Sequence, residues 1–337
     1  FTLKYKLIFL HTMKLLSYKI SDSKIVQVGV LKSDIIFNMN SYFGDISMID
    51  LLQVKDYKEK IETAINNKKC VQHNISSVTL LPPVPNPNSL RDAYAFRQHV
   101  STSRANRGLK MIAEFDEFPV FYFSNQNTIY ADNEKIELMP DHFEKLDYEL
   151  EIAVVIGKGG KNILSKDADK HIAGFCIFND LSCRRLQMEE MKLNLGPAKG
   201  KDFASVLGPY LVTPEEITSN CIQTPFGNKY NLEMSCTVNG ELLSKGNAVD
   251  MNWTFAEIIE RASYGVELYP GDIIGSGTVG TGCLLELNGT EKIKNPNYCE
   301  KWLKEGDTVE MQIDGLGKIT NKLVKSKSAH SSLKLKK

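Results

Sequence analysis

Period-two alternation of apolar and polar residues is densest over 146–157, Leu-Asp-Tyr-Glu-Leu-Glu-Ile-Ala-Val-Val-Ile-Gly. Such alternation predicts a β-strand. Asp147, Glu149 and Glu151 fall on one face, and Tyr148, Leu150, Ile152, Val154 and Ile156 on the other. Beyond Glu151 the acidic face turns apolar at Ala153 and Val155, as in a strand buried on both sides. Glu149 and Glu151 therefore stand where a polar face gives way to interior. Their Cβ atoms are about 7 Å apart, and two such carboxylates repel unless a positive charge lies between them. A hard divalent cation would serve. A solvated acidic strand face is the plainer alternative.

Elsewhere the pattern alternates between short strands and helices. Strand-like runs occupy 15–20, 25–30 and 35–38. Leu51, Val54, Tyr57, Ile61 and Ile65 then recur at three and four, which predicts one amphipathic helix. The proline-rich stretch 81–90 marks a boundary, so a small domain is expected at 13–84 and a larger one at 85–317. Residues 91–100 have helical character, with Asp92 and His99 seven apart on one face. An apolar strand at 172–178 ends in Asn179-Asp180, and a helix follows with Arg184 and Gln187 on the side of Asp180. Gly196 and Gly200 flank a loop that ends in Lys201. Strands are expected at 231–238 and 273–275. Between them Thr254 and Glu257 form a capping-box pair opening a helix, with Gly265 as its stop. The glycine-rich loop 275–282 could cradle an anion through its N–H groups. It leads into a short strand at 283–287, on which Glu286 projects away from Leu285 and Leu287. From 318 to 337 there are seven lysines and no acid, which predicts a disordered basic tail.

Composition narrows the function classes. A chain of 337 residues allows one large or two medium domains. Lys+Arg equals Asp+Glu at 41 each, so no net charge calls for nucleic acid or a membrane surface. Seven cysteines are scattered without a Cys-x-x-Cys pair, which argues against a disulfide framework or zinc ribbon and fits a cytoplasmic setting. The first twelve residues are expected to be an extension that adds nothing to the fold, with Met13 as the native start. No stretch approaches 18 apolar residues, so no membrane span is expected. The glycine loop matches neither a P-loop nor Gly-x-Gly-x-x-Gly opening a helix, and no Gly-x-Ser-x-Gly elbow occurs. His99 has no second histidine at helical spacing, which disfavours a two-histidine zinc site.

Six blocks stand in order: Asp92-x-Tyr94-x-x-Arg-Gln-His99, Leu146-Asp-x-Glu149-Leu-Glu151, Asn179-Asp180-x-x-x-Arg184-x-x-Gln187, Gly196-Pro-x-x-Gly-Lys201-x-Phe203, Ser276-Gly-Thr278 and Leu285-Glu286-Leu287. Over about 90 to 310 this order resembles the fumarylacetoacetate hydrolase superfamily, and the first block resembles fumarylacetoacetase in particular. The resemblance implies an α+β fold, mainly β. A small N-terminal SH3-like barrel would precede a mixed β-roll, usually in a homodimer. It implies that Asp92, Glu149, Glu151 and Asp180 hold Mg²⁺ or Ca²⁺. It implies that His99, oriented by Glu286, activates water, and that Arg184, Gln187 and Lys201 stabilise the oxyanion. Tyr94, Tyr122 and Thr278 would bind substrate, with Arg104 and Arg107 as alternatives for a further substrate contact. The implied reaction is hydrolysis of a carbon–carbon bond in a β-diketo acid, fumarylacetoacetate, in tyrosine catabolism. Two rivals stand beside it. A sister enzyme (acylpyruvate hydrolase, 2-oxoacid decarboxylase, hydratase or isomerase) would keep the carboxylates without needing the His99–Glu286 pair. A binding protein would keep the fold with a relict site.

Overall fold

A computed structural model describes residues 12–21, 23–327 and 330–334. The expected extension at 1–12 lies outside the described residues, apart from Thr12. Among the described residues no helix is long and apolar enough to cross a membrane, and all seven cysteines are free.

The fold is mixed α/β and rich in strand. Its central strands are Leu150–Ile156 and Ile172–Asp180, every residue of which is buried. Side chains such as Ile152, Val154, Phe175 and Ile177 pack into one core below these strands. Ala153, Val155, Cys176 and Phe178 point into a second core on the opposite face. Burial on both faces is why these segments read as nearly continuous apolar runs. Moving outward, Leu150–Ile156 pairs with Ile273–Gly275, which lies parallel to Leu90–Ala93. On the other side Ile172–Asp180 pairs with Ser205–Val212. A second sheet of five strands packs beneath, ordered Glu241–Asn247, Glu233–Val238, Thr308–Ile313, Gly317–Lys325, Ile136–Leu138.

Several expectations hold closely. Strands run Lys14–Ile20, Gln27–Lys32 and Ile35–Asn38. The helix Phe255–Ser263 opens with the Thr254–Glu257 capping box, and Gly265 follows at φ 71°. Others are corrected. Residues 51–65 form two helices, Met48–Gln53 and Tyr57–Asn66, because Asp56 takes left-handed backbone between them at φ 54°. The N-terminal strands do not close on themselves, among the described residues, as an SH3-like barrel would. They extend the main sheet through Lys14↔Val212 and Leu15↔Leu211. Met13, Leu15, Val28 and Val30 share a core with Val155, Cys176 and Leu207, so burial favours continuing the sheet over sealing a separate one. The basic stretch from 318 is likewise not a free tail at its start. Gly317–Lys325 pairs with Thr308–Ile313 on one side and Ile136–Leu138 on the other. Its lysines point outward while Ile319, Asn321 and Leu323 are buried, so charge counting hid a period-two strand.

Candidate active site

The acidic stretch supplies the centre. The backbone breaks at Tyr148-Glu149. Leu146–Asp147 pairs with Ser182–Cys183 in a small sheet, and the long strand begins only at Leu150. That break separates Asp147 from its expected face-mates. Glu149 and Glu151 stay together, and both are buried rather than solvated, as is Asp147. Register brings in two more acids. Leu150 pairs with Asn179, so Asp180 ends its strand beside Glu149, where the Asp180 N–H donates to the Glu149 carbonyl at 3.4 Å. Asp92 enters from Leu90–Ala93 opposite Gly275. One carboxylate oxygen each from Asp92, Glu149, Glu151 and Asp180 lies within 4.8 Å of the others.

Asp92 thus sits on a strand, not on the expected helix. That helix begins only at Arg97 and runs to Ala105. Pairing with strands far along the chain overrides the local helical pattern. The glycine loop does bind anions through N–H groups, but the anions are the chain's own: Gly277 N–H donates to Asp92 Oδ1 at 3.0 Å and to Glu151 Oε2 at 3.1 Å. Gly277 has φ 77°, and a Cβ there would meet the Ala93 carbonyl oxygen at 2.5 Å, so only glycine presents this N–H. Thr278 Oγ1 donates to Glu151 Oε1 at 3.3 Å.

Two buried cations face these acids. Lys201 Nζ bridges Glu149 and Asp180. Arg184 donates to Glu149 Oε1 at 2.6 Å, to Asp147 Oδ2 at 2.8 Å and to Gln187 Oε1 at 3.0 Å. Burial pushes the Glu149 carboxyl up, but Lys201 and Arg184 outweigh it and hold it well below the usual carboxylate range. The other three move the opposite way. Burial, then Asp180, pushes Asp92 up to about 7. Burial pushes Asp180 up to about 6 against the pull of Lys201. Burial, then Asp92 and Glu149, holds Glu151 well above its ordinary value. Lys201 and Arg184 compensate Glu149 but do not offset all four acids. Tyr122 donates to Asp180 Oδ2 at 2.5 Å, yet Asp180 Oδ1 is buried without a hydrogen-bond partner. An all-carboxylate donor set with an orphaned oxygen fits a hard divalent cation held by Asp92, Glu149, Glu151 and Asp180.

The electrostatics predict a pH signature. An unfolded aspartate titrates at about 3.9, whereas folded Asp180 and Asp92 keep protons to about 6 and about 7. Between those limits the metal-free fold binds more protons than the unfolded chain. Asp92 and Asp180 therefore cost the metal-free fold nothing below about pH 4 and an increasing amount as pH rises through about 7. A divalent cation held by these carboxylates would remove that penalty. The gap between melting temperatures with Mg²⁺ and with chelator should widen from about pH 5 to about pH 8. A gap that stays constant or narrows would contradict the cluster's charge balance.

His99 stands in the first turn of its helix, with Nδ1 2.7 Å from Glu286 Oε2. The pair was expected, but not its support. Glu286 belongs to the helix Leu284–Lys294 rather than to a strand. That helix buries Glu286 and Asn288 beside Leu284, so its inward face is polar and carries no helical hydrophobic period. The Tyr94 ring meets the His99 ring edge-on at 5.9 Å. Asp92, Tyr94, His99, Arg107, Tyr122, Glu149, Arg184, Gln187, Lys201 and Thr278 all line one cavity of about 430 Å³. Of the two alternative arginines, Arg107 lines it, while Arg104 Nε donates to the Lys110 carbonyl at 2.6 Å. Gly200 leaves room for Gln187, whose Cα would lie 2.7 Å from a Cβ there; its freedom serves helix packing rather than ligand approach. Asp147 is buried beside these residues and held by Arg184, although it lines no part of the cavity.

Residues 89–324 match the family model described as fumarylacetoacetate (FAA) hydrolase, C-terminal. The mitochondrial oxaloacetate tautomerase fahd2 of Xenopus laevis is 28% identical over 321 residues, covering 93% of this chain and 91% of that protein. The oxaloacetate tautomerase YisK of Bacillus subtilis is 29% identical, covering 83% of each. Among solved structures, maleylpyruvate hydrolase from Sphingobium sp. SYK-6, in complex with manganese(II) and pyruvate, superposes with a TM-score of 0.68 at 20% identity. It covers 94% of this chain and 100% of that one. These relatives overturn the expectation of fumarylacetoacetate hydrolysis, and with it the place in tyrosine catabolism. The curated relatives are named for tautomerisation of oxaloacetate. The motifs behind that expectation belong to a scaffold that hosts several reactions. They identify the scaffold and leave the substrate open. The chain belongs to the fumarylacetoacetate hydrolase family, a family of enzymes.

Proposed function

We propose that this protein catalyses keto–enol tautomerisation of a 2-oxo dicarboxylic acid, with oxaloacetate as the leading candidate. The observation that carries the proposal is one cavity lined by His99, which Glu286 holds, and by Asp92 and Glu149 of the four-carboxyl cluster fit for a cation. The names of the curated relatives support the same choice. A 2-oxo acid offers adjacent carboxylate and carbonyl oxygens, which suit a hard cation; Mg²⁺ and Ca²⁺ are the first candidates. When bound, such a cation supplies Lewis acidity that makes the C3 protons of the substrate easier to remove.

The chain's own residues then have distinct tasks. Glu286 accepts from the Nδ1–H of His99, which leaves Nε2 free to take a proton from C3 and return it to the enol oxygen. Going from keto to enol, one proton leaves carbon and one arrives on oxygen. No carbon–carbon bond breaks and no water is consumed. Lys201 and Arg184, set on Glu149, supply positive charge near the developing enolate. Tyr94 and Thr278 shape the cavity beside them. Arg107 is placed to grip the distal carboxylate of a dicarboxylic substrate.

The test follows the decay of enol absorbance in the presence of Mg²⁺, against a metal-only control. We expect clear acceleration by the protein. Arg107→Leu should raise KM about tenfold or more with a smaller effect on kcat, since a charge-assisted contact is worth about 1.5–3 kcal/mol. No acceleration over the control, or faster cleavage of an acylpyruvate than ketonisation of oxaloacetate, would overturn the proposal.

A further inference from the structure

Asp147 lies outside the metal-ready cluster and lines no part of the cavity wall described above. Even so, it is completely buried and surrounded by donors. Its Oδ1 accepts from the Leu284 N–H at 2.7 Å, and its Oδ2 from the Leu285 N–H at 3.0 Å and from Arg184 Nε at 2.8 Å. The two N–H groups open the helix Leu284–Lys294, whose own N-cap residue, Cys283, makes no side-chain cap. A helix start leaves its first N–H groups without partners, and here a carboxylate 137 residues away in sequence satisfies them. Glu286 follows directly after Leu285, and its carboxyl meets His99.

We propose that Asp147 is a positioning residue that locks the Arg184 guanidinium and the Glu286-bearing helix turn together, thereby aiming His99 at the substrate. Arg184 reaches Glu149 with the same guanidinium that Asp147 holds. One carboxylate thus sets the spacing between the carboxyl cluster and the general base. Charged bonds of this kind suit such a task, because both partners are buried and the geometry is fixed on two sides. Three donors also explain how a buried carboxylate is tolerated there. The inference rests on the tautomerase proposal only for its rate measurement.

Asp147→Asn keeps the side-chain shape and one acceptor oxygen. Three measurements apply: the Nδ1–H resonance of His99 in histidine-labelled protein, Mn²⁺ affinity, and kcat on enol oxaloacetate with the metal bound. We expect the resonance to shift or broaden, Mn²⁺ affinity to stay within about threefold, and kcat to fall about tenfold or more with little change in KM. Leu285→Pro tests the same link from the helix side, since proline is tolerated in a first helical turn but lacks the N–H. Leu285→Ala, which keeps that N–H, controls for the lost side chain. Leu285→Pro should move the His99 resonance and Leu285→Ala should leave it in place, so the inference stays testable if Asp147→Asn does not fold. An unmoved resonance in either Asp147→Asn or Leu285→Pro would overturn the inference. So would loss of Mn²⁺ with the resonance intact, which would make Asp147 a support of the carboxyl cluster instead. If wild-type protein fails to ketonise oxaloacetate, the functional proposal falls while the resonance comparison still decides the role of Asp147.

Discussion

Replacing His99 with alanine should lower oxaloacetate turnover by about 10² or more and leave divalent-cation affinity nearly unchanged, as expected for a lost general base. The argument is geometric. His99 touches Glu286 at 2.7 Å, lines the cavity, and belongs to a different element from each of the four acids. Removing its ring takes away the proton acceptor without removing a carboxylate. A structural histidine behaves differently: its loss lowers stability and disturbs every property together. The check is a pair of measurements on one variant, Mn²⁺ affinity and kcat. Near-normal kcat would remove His99 from the mechanism. Loss of metal with loss of rate would make it a scaffold residue.

Glu151→Gln should act in opposite directions on two states of the protein. With metal-free protein it should raise the melting temperature, because burial and the neighbouring Asp92 and Glu149 already disfavour a charge at Glu151. With metal it should abolish most of the stabilisation, because a hard cation loses an anionic ligand. A ligand at 100 times its Kd stabilises by about 2.7 kcal/mol, so losing that increment is easily seen by thermal unfolding at fixed Mg²⁺. A variant destabilised without metal, or one that still gains the full increment, would mean that Glu151 is not part of a cation site.

The residues that the structure gathers into the candidate site are more legible in the sequence than the elements that carry them. Glu149, Glu151 and Asp180 were legible because strand alternation and the polar end of an apolar run are local patterns. The spacing of Arg184 and Gln187 was legible for the same reason, and the structure keeps them in contact. Asp92 reads as helical in the sequence because its strand exists only by pairing with Ile273–Gly275, far along the chain. Glu286 reads as part of a strand because a helix with a polar buried face leaves no apolar period to read. Asp147 was hidden by a backbone break at Tyr148-Glu149 that no local pattern announces. The His99–Glu286 pair also separates the rival chemistries less than expected, since enolisation needs a base as much as hydrolysis does. Its presence left the choice between them to the relatives.

The central claim is proton transfer at C3 without carbon–carbon cleavage, dependent on a divalent cation. The most direct test is proton NMR of oxaloacetate in D₂O with the protein and Mg²⁺, recording C3 deuteration and pyruvate together, each against a metal-only control. The account predicts protein-accelerated deuteration that far outpaces pyruvate formation and vanishes with chelator. Pyruvate appearing as fast as deuterium enters, or exchange no faster than the control, would contradict it.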